Sequence, residues 1–265
     1  MISKVCNFYW GGGPLSYLQY LSIVSFNRYN PDWTINLFMP KELESIAPTW
    51  VTNEQRDEYM GQDYLSEAKK LCNVIEIDFS EHEFAKPRHE VQKADIIRWH
   101  ILYEYGGIWS DIDILYVKPM SLTGFDIAVC YHDDPYIGFF ITKPHLKLFQ
   151  DFYSISKDNI KRNIDDTYQA LGADMLRHRY GSFQGIHSTY PQFSIVNLPM
   201  DIVYPYLPDN KDIEEMLFGK TDKTTEDTIG LHWYNGSPIA KKYQNGFDKY
   251  KENESVISKL VKDYV

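Results

Sequence analysis

The sequence has few of the features that mark a membrane-spanning, a disulfide-bonded or a nucleic-acid-binding protein. No stretch approaches the roughly 20 consecutive apolar residues of a membrane-spanning helix, and the N-terminus lacks a basic segment followed by a long hydrophobic stretch. The three cysteines, Cys6, Cys72 and Cys130, lie far apart, which is typical of reduced thiols rather than of a disulfide framework. Lysine and arginine total 27 against 37 acidic residues, a formal net charge of −10, which disfavours nucleic acid as a partner. We therefore expect a cytoplasmic protein without a membrane span.

What the sequence does contain is a regular alternation of strand and helix signals up to Pro119. This order predicts an α/β fold with a mostly parallel central sheet and a Rossmann-like first half. The predicted strands of that half span 4–10, 33–39 and 73–79. One predicted helix begins at Pro14, and two others span 53–70 and 90–105.

The second half of the chain is less regular and contains more turns. It predicts strands at 125–131 and 137–142 and helices at 145–157 and 166–180. Residues 252–265 place apolar side chains on one side of a helix, which predicts packing against the domain. Docking of this helix to a membrane surface is the alternative.

Asp111 and Asp113 occupy alternate positions at the end of a predicted short strand. In an extended strand such residues point the same way with Cα atoms roughly 6.6 Å apart, so that both carboxylates can face one ligand. Two like charges this close repel each other unless a positive partner relieves them, and a hard divalent cation would do so. The pair therefore predicts a cation site.

A longer pattern surrounds this pair. It reads D-x-x-R, then G-G-x-aromatic-x-D-x-D, and consists of Asp95, Arg98, Gly106, Gly107, Trp109, Asp111 and Asp113. The pattern resembles the sugar-binding region of the DXD glycosyltransferases, which include initiating α-mannosyltransferases, capsular-polysaccharide transferases and clostridial toxin glucosyltransferases.

The resemblance implies a GT-A fold and a function. A single domain, 1–265, would bind a UDP- or GDP-hexose through its first half, 1–119, and an acceptor through its second half, 120–265. The hexose would pass to a glycan, glycolipid or protein hydroxyl, with retention at the anomeric carbon. A non-catalytic nucleotide-sugar or glycan-binding module of the same fold is the alternative.

The resemblance also assigns roles within the pattern. Asp111 and Asp113 would hold Mn²⁺ or Mg²⁺, which as a Lewis acid stabilises the charge that a departing diphosphate gains. In the family the second aspartate usually binds the metal directly, and the first more often reaches the ribose or a metal-bound water. Asp95 and Arg98 would bind the donor sugar, and Trp109 would border the donor. For Asp95 and Arg98, an ordinary surface ion pair on one helix face is the alternative.

The N-terminal strand ends in Tyr9 and Trp10, followed by the glycine turn Gly11 and Gly12. In related transferases a tryptophan at this place stacks on the donor base. The match omits one intervening residue, so that either Trp10 or Tyr9 is the stacking ring. A core aromatic at a strand end is the alternative.

A late loop offers a third metal ligand. In many retaining enzymes of this fold a late histidine followed by glycine binds the metal, and His232 matches it, since a neutral imidazole is an acceptable ligand for Mn²⁺. The toxin-like branch uses an oxygen ligand instead, for which Asn235 and Ser237 are the candidates. Trp233 is a candidate for contact with the departing diphosphate.

Three segments of the second half carry further hypotheses. Asp133 and Asp134 follow an apolar strand and are candidates for acceptor binding, with a turn as the alternative. Residues 171–174 contain small side chains that would allow close approach to the donor sugar. The basic residues of 161–162 and 177–179 predict either a patch for a phosphate or an acidic acceptor, or a solvated helix face.

Overall fold

A seven-stranded sheet organises the computed structural model, which describes residues 1–42, 58–82, 89–121, 124–164 and 167–264. The strand order is β3-β2-β1-β4-β7-β6-β8. Neighbours are parallel except where β7 pairs with β4 and with β6. The strands of this sheet are β1 (Val5–Tyr9), β2 (Thr34–Pro40), β3 (Asn73–Ile77), β4 (Gly107–Ser110), β6 (Ile127–Tyr131), β7 (Pro135–Thr142) and β8 (Ile195–Asn197). The prediction of an α/β fold with a mostly parallel sheet is confirmed.

Ten α-helices lie within the described part of the chain. They are α1 (Tyr17–Tyr29), α2 (Leu65–Lys69), α3 (Glu90–Glu104), α4 (Lys147–Lys161), α5 (Ala173–Tyr180), α6 (Phe183–Thr189), α7 (Asn210–Phe218), α8 (Pro238–Asn245), α9 (Phe247–Tyr250) and α10 (Val256–Val261). Short 3₁₀ turns cover Phe79–His82, Met200–Ile202 and Lys262–Tyr264. None of the helices that the structure describes is long and apolar enough to cross a membrane.

The central strands of the sheet are buried on both faces, and this explains their sequences. Ile108 and Trp109, neighbours on β4, belong to two different core clusters, since successive side chains of a strand point to opposite faces. The cluster around Trp109 contains side chains of α3 and α4, and the other contains Phe26 of α1. Strands covered on both faces read as nearly continuous apolar runs.

A second, two-stranded sheet places the C-terminal part of the chain beside the segment that follows β4. Its strands are β5 (Ile114–Tyr116) and β9 (Gly230–His232), which pair antiparallel so that Ile114 lies opposite His232. A third core cluster, with members from β5, β9, α1, α7, α8 and α10, supports it. Val256, Ile257 and Val261 of α10 are buried in this cluster, so the C-terminal helix packs against the domain.

Several predicted helix boundaries differ from the structure, three of them by at least three residues at the start of the helix. Helix α1 begins at Tyr17 rather than at Pro14, because Ser16 and Gln19 form a capping box in front of it. Of the helix predicted at 53–70, residues 58–64 are not helical and only Leu65–Lys69 is, while 53–57 lie outside the described residues. The helix predicted at 166–180 begins at Ala173, since residues 167–172 form turns.

Candidate active site

A cleft of about 420 Å³ opens at the carboxyl ends of β1 and β4. The edge where parallel strands end is the usual place for ligands in α/β proteins. Its lining includes residues of the 9–11 turn, of α3, of the segment after β4 and of the beginning of β7, together with Tyr204, His232 and Tyr234 from the later part of the chain. The cleft thus joins segments that are far apart in sequence.

The glycine pair at the start of β4, at the opposite end of the strand from the cleft, permits close packing against β1. Gly106 and Gly107 have φ values of +60° and +74°, in the left-handed region that favours glycine. A Cβ at Gly107 would lie 2.2 Å from the Val5 carbonyl oxygen, and one at Gly106 would lie 2.5 Å from the Pro144 nitrogen. The double glycine of the sequence pattern therefore brings β4 against β1.

Asp111 and Asp113 lie in a turn between β4 and β5, not in an extended strand as predicted from their spacing. The Ile114 N–H donates to the Asp111 carbonyl at 3.3 Å, and this turn directs both carboxylates toward His232. One ligand atom from each of the three residues lies within 4.8 Å of the others. Two carboxylates and one imidazole suit Mn²⁺, and the hard carboxylate oxygens also suit Mg²⁺.

The electrostatic environments of the two aspartates differ. Burial raises the pKa of Asp111, but the charges of Arg98 and His232 and the hydrogen bond from Trp109 outweigh it, so that the pKa falls to about 2. Burial raises the pKa of Asp113, with opposition from His232 and a further increase from the Asp111 charge. A cation beside Asp113 would relieve this unfavourable charge, which fits a direct metal ligand.

Arg98 connects the aspartate of α3 to the metal-ligand cluster. Its Nη1 donates to Asp95 Oδ1 at 2.9 Å and its Nη2 donates to Asp111 Oδ1 at 3.1 Å. We call this Asp95–Arg98–Asp111 arrangement the buried bridge, since the side chains of Arg98 and Asp95 are each 4 % exposed. The alternative of an ordinary surface ion pair is therefore wrong. Trp109 completes the arrangement, donating from Nε1 to Asp111 Oδ1 at 2.8 Å.

Asp95 has an oxygen available for a ligand. Its Oδ2 is buried and has no hydrogen-bond partner among the residues that the structure describes, and Asp95 lines the cleft. Burial raises its pKa to about 7, although Arg98 acts in the opposite direction. An acceptor oxygen left without a donor in a cleft is suited to a ligand hydroxyl.

The other end of the cleft is formed by the turn after β1. Tyr9 is buried and donates from its hydroxyl to Glu90 Oε2 at 2.7 Å, whereas Trp10 is half-buried and keeps exposed surface at the cleft. Gly11 borders Glu90 so closely that a Cβ there would lie 1.9 Å from Oε2. Gly12 is not among the cleft-lining residues. Of the two predicted stacking rings, Trp10 is therefore the more accessible.

Of the residues predicted in the late loop, only His232 places its side chain in the metal-ligand cluster. Trp233 is fully buried in the third core cluster, because successive residues at the end of β9 point to opposite sides. The expectation that it contacts the diphosphate is corrected, since it has no exposed surface. Asn235 Oδ1 accepts from Lys241 and Gln244, and only its backbone N–H reaches Asp113, at 2.7 Å. Ser237 caps α8 outside the cleft.

The two acceptor candidates are separated by the structure. Residues 132–134 form the turn that joins β6 to β7, and of Asp133 and Asp134 only Asp134 lines the cleft. Arg177 of α5 donates from Nε to Asp134 Oδ1 at 2.6 Å and from Nη1 to Asp174 Oδ1 at 2.5 Å. We call this Asp134–Arg177–Asp174 arrangement the exposed bridge, because Arg177 is 38 % and Asp134 55 % exposed.

The predicted basic patch is thus divided. Arg177 is paired with carboxylates at the cleft, whereas His178 and Arg179 line a separate cavity on the other side of α5. In the segment 171–174, a Cβ at Gly172 would lie 2.5 Å from Asp95 Oδ2, so the small residue allows close approach to Asp95.

Sequence reasoning missed several residues of the cleft. Among them, Glu90, Gly138 and Tyr204 received no role, and Arg177 was assigned only to a general basic patch. Gly138 carried a usable signal, because a glycine inside a strand often marks a place where another group approaches closely. Glu90 and Tyr204 carried none, since their contacts come from distant segments.

Comparison with known proteins agrees with this geometry. Residues 20–130 match the family described as the glycosyltransferase sugar-binding region containing a DXD motif. The matched segment contains Asp95, Arg98, Asp111 and Asp113. The resemblance predicted from sequence is therefore confirmed, and the paired aspartates of the cleft are those of the DXD region. No curated relative matches the chain.

Solved structures similar to this DXD glycosyltransferase region include two glycosyltransferases. The PaToxG glycosyltransferase is 16 % identical, with a TM-score of 0.51, over 92 % of this chain and 83 % of that chain. An active-site mutant of LgtC is 12 % identical, with a TM-score of 0.41, over 86 % of each chain. The first likeness shows the GT-A fold.

Proposed function

We propose that the protein transfers a hexose from a UDP- or GDP-sugar to a hydroxyl of a glycan, glycolipid or protein acceptor, with retention and with a divalent metal ion. One observation carries the proposal: Asp111, Asp113 and His232 converge within 4.8 Å in a cleft at the carboxyl edge of the sheet. The unsatisfied oxygen of Asp95 on the same cleft supports a sugar hydroxyl as the neighbouring ligand.

Each cleft residue has a proposed task. Mn²⁺ or Mg²⁺, held by Asp111, Asp113 and His232, would supply Lewis-acid stabilisation of the departing diphosphate. Arg98 orients Asp111 and Asp95, and Asp95 Oδ2 accepts a hydrogen bond from a hydroxyl of the hexose. Trp10 offers a ring surface to the donor base.

We propose a front-face displacement for the transfer. The bond from the anomeric carbon to the diphosphate oxygen breaks and its electron pair stays on that oxygen, while the acceptor oxygen bonds to the same face of the carbon. The departing oxygen takes the acceptor's proton. The carboxylates that the structure describes in this cleft support this, because each of the five has a neighbouring side-chain partner: Glu90, Asp95, Asp111, Asp113 and Asp134. The partnerless Oδ2 of Asp95 is assigned to a hydroxyl of the hexose and not to the anomeric carbon.

The proposed acceptor side is the wall that carries the exposed bridge. Asp134 accepts a hydrogen bond from the incoming hydroxyl compound, and Asp133 has no role in the cleft. Tyr136 and Tyr168, which line the same wall, offer flat surfaces to sugar C–H groups.

The test is donor hydrolysis. The protein is incubated with Mn²⁺ and a panel of UDP- and GDP-sugars, and release of the nucleoside diphosphate is measured. We expect the unmodified protein to hydrolyse one donor slowly and to show a higher Tm with Mn²⁺. Asp113→Asn should abolish both the hydrolysis and the rise in Tm. Asp133→Asn, an exposed aspartate outside the cleft, is the matched control and should behave like the unmodified protein.

Two results would contradict the proposal. Full hydrolysis by Asp113→Asn would remove the metal assignment. Tight donor binding without hydrolysis or transfer would instead indicate a non-catalytic nucleotide-sugar-binding module.

A further inference from the structure

Tyr204 presents a buried, unsatisfied hydroxyl to the cleft. Its side chain is 3 % exposed and lines the cleft beside His232. The hydroxyl has no hydrogen-bond partner within residues 1–42, 58–82, 89–121, 124–164 and 167–264. Burying a hydroxyl without a partner is unfavourable, so that such a group at a binding cleft indicates a partner that arrives with the ligand.

The hydroxyl of Tyr204 and the side chains of Asp111 and His232 border one small gap. That gap exists because residue 138 is glycine and has no Cβ to fill it. A Cβ on Gly138 would lie 2.8 Å from Asp111 Oδ2, 3.0 Å from His232 Nε2 and 3.0 Å from Tyr204 Oη. Three polar atoms therefore face the same small volume, which any larger residue would fill.

The Tyr204 ring is held in a defined position. It packs against Tyr136 and His232, with ring centroids 4.9 Å and 5.3 Å away. The Tyr204 N–H donates to the Met200 carbonyl at 2.7 Å, and the adjacent Val203 carbonyl accepts from the His232 N–H at 2.8 Å. A donor fixed in this way needs little reorganisation when charge develops near it.

We propose that Tyr204 is a donor-binding residue whose hydroxyl donates a hydrogen bond to the diphosphate of the nucleotide-sugar. This inference rests on the proposed function. When the bond from the anomeric carbon to the diphosphate breaks, the electron pair stays on the phosphate oxygen. Tyr204 stabilises the resulting charge through the hydrogen bond and keeps its own proton. Because this contact is with the phosphate that bears the departing oxygen, which a nucleoside monophosphate lacks, the hydrogen bond strengthens diphosphate binding and not monophosphate binding.

Tyr131 provides a matched control. It is also 3 % exposed, and its hydroxyl also lacks a hydrogen-bond partner among the described residues, but it does not line the cleft. Replacing either tyrosine by phenylalanine removes one buried hydroxyl and retains the ring. A purely structural contribution of such a hydroxyl would therefore appear equally in both variants.

The experiment compares Tyr204→Phe with Tyr131→Phe by isothermal titration calorimetry. The probes are Mn²⁺ alone, then UDP and GDP in the presence of Mn²⁺, and the corresponding monophosphate of whichever base binds. For Tyr204→Phe we expect nucleoside diphosphate affinity to fall by about tenfold to a hundredfold, the range for a hydrogen bond to a charged group. Affinity for Mn²⁺ alone and for the monophosphate should be unchanged, and Tyr131→Phe should bind all probes normally.

Three results would overturn the inference. Unchanged diphosphate affinity in Tyr204→Phe would do so, as would an equal loss for the monophosphate. Weaker binding of Mn²⁺ alone would show that Tyr204 acts instead by positioning the His232 ring, against which it packs. In each case the unmodified protein still binds a nucleoside diphosphate, and the proposed function survives. If the unmodified protein binds neither UDP nor GDP with Mn²⁺, both proposals fail.

Discussion

Two arginines of this cleft are each bonded to two aspartates, yet their surroundings are opposite. In the buried bridge the arginine side chain is 4 % exposed, and in the exposed bridge it is 38 % exposed. Water can replace a lost partner only in the second case. The same combination of one arginine and two aspartates is therefore a fixed part of the protein in the buried bridge, whereas in the exposed bridge water can substitute for either partner.

The difference matters because burial changes the effect of removing one partner. A buried charge without its counter-ion costs far more than the pair contributes when it is intact. An exposed pair contributes little, because water and salt screen it. We expect the buried bridge to control folding and donor binding together, and the exposed bridge to affect only what reaches the acceptor wall.

The largest expected effect comes from Arg98→Met. This variant leaves Asp111, which stays charged at pH 7, and the buried Asp95 without their shared counter-ion, and we expect the free energy of unfolding to fall by about 3–5 kcal/mol. Urea unfolding at pH 7 measures it. Equal losses for Arg98→Met and for Arg177→Met of the exposed bridge would show that burial does not distinguish the two bridges.

A pH series on the metal-free protein gives the next largest effect. The pKa of Asp95 is raised from 3.8 to about 7 on folding, mainly by burial. The folded state then binds this proton more tightly, so the associated stability is fully present below pH 4 and is lost as the pH rises to about 7. Relative to Asp95→Asn, the unmodified protein should lose stability across this window, with a slope on the order of 1.4 kcal/mol per pH unit. Parallel stability curves for the two proteins would contradict the assignment.

A third effect concerns the packing around the buried bridge. A Cβ at Gly172 would lie 2.5 Å from both Asp95 Oδ2 and Ile137 Cδ1. Gly172→Ala should therefore lower the free energy of unfolding by about 1–3 kcal/mol through overpacking. The same change in an Asp95→Ala background should cost less, since one of the two clashing atoms is gone. A double-mutant cycle measures this coupling, and strict additivity would show that the two residues do not interact.

Sequence patterns were sufficient for the buried bridge. Asp95 and Arg98 are three residues apart on a helix, and the glycine pair and the two aspartates follow at a fixed distance, so that one local segment contains nearly all of this arrangement. Even there, the pattern suggested an extended strand for Asp111 and Asp113 where the chain forms a turn, because a period of two does not reveal where a strand ends.

The contacts of the exposed bridge could not be predicted from sequence patterns within one segment. Asp134 and Arg177 are 43 positions apart, and no periodicity indicates that α5 packs beside the β6–β7 turn. Tyr204 was missed for the same reason. Trp233 shows the opposite error, since the resemblance suggested a ligand contact while strand alternation sends its side chain to the core.

The smallest effect on stability is expected at the exposed bridge. Arg177→Met should change the free energy of unfolding by less than about 1 kcal/mol, since water solvates the freed carboxylates of Asp134 and Asp174. Donor hydrolysis should stay within about twofold of the unmodified protein, a change worth under about 0.5 kcal/mol, because Arg177 contacts none of Asp111, Asp113 and His232. Unfolding in urea and release of nucleoside diphosphate measure the two quantities. If the free energy of unfolding fell by several kcal/mol, or if hydrolysis were lost, the exposed bridge would be as necessary to the fold and the site as the buried bridge. The proposed difference between the two bridges would then be wrong.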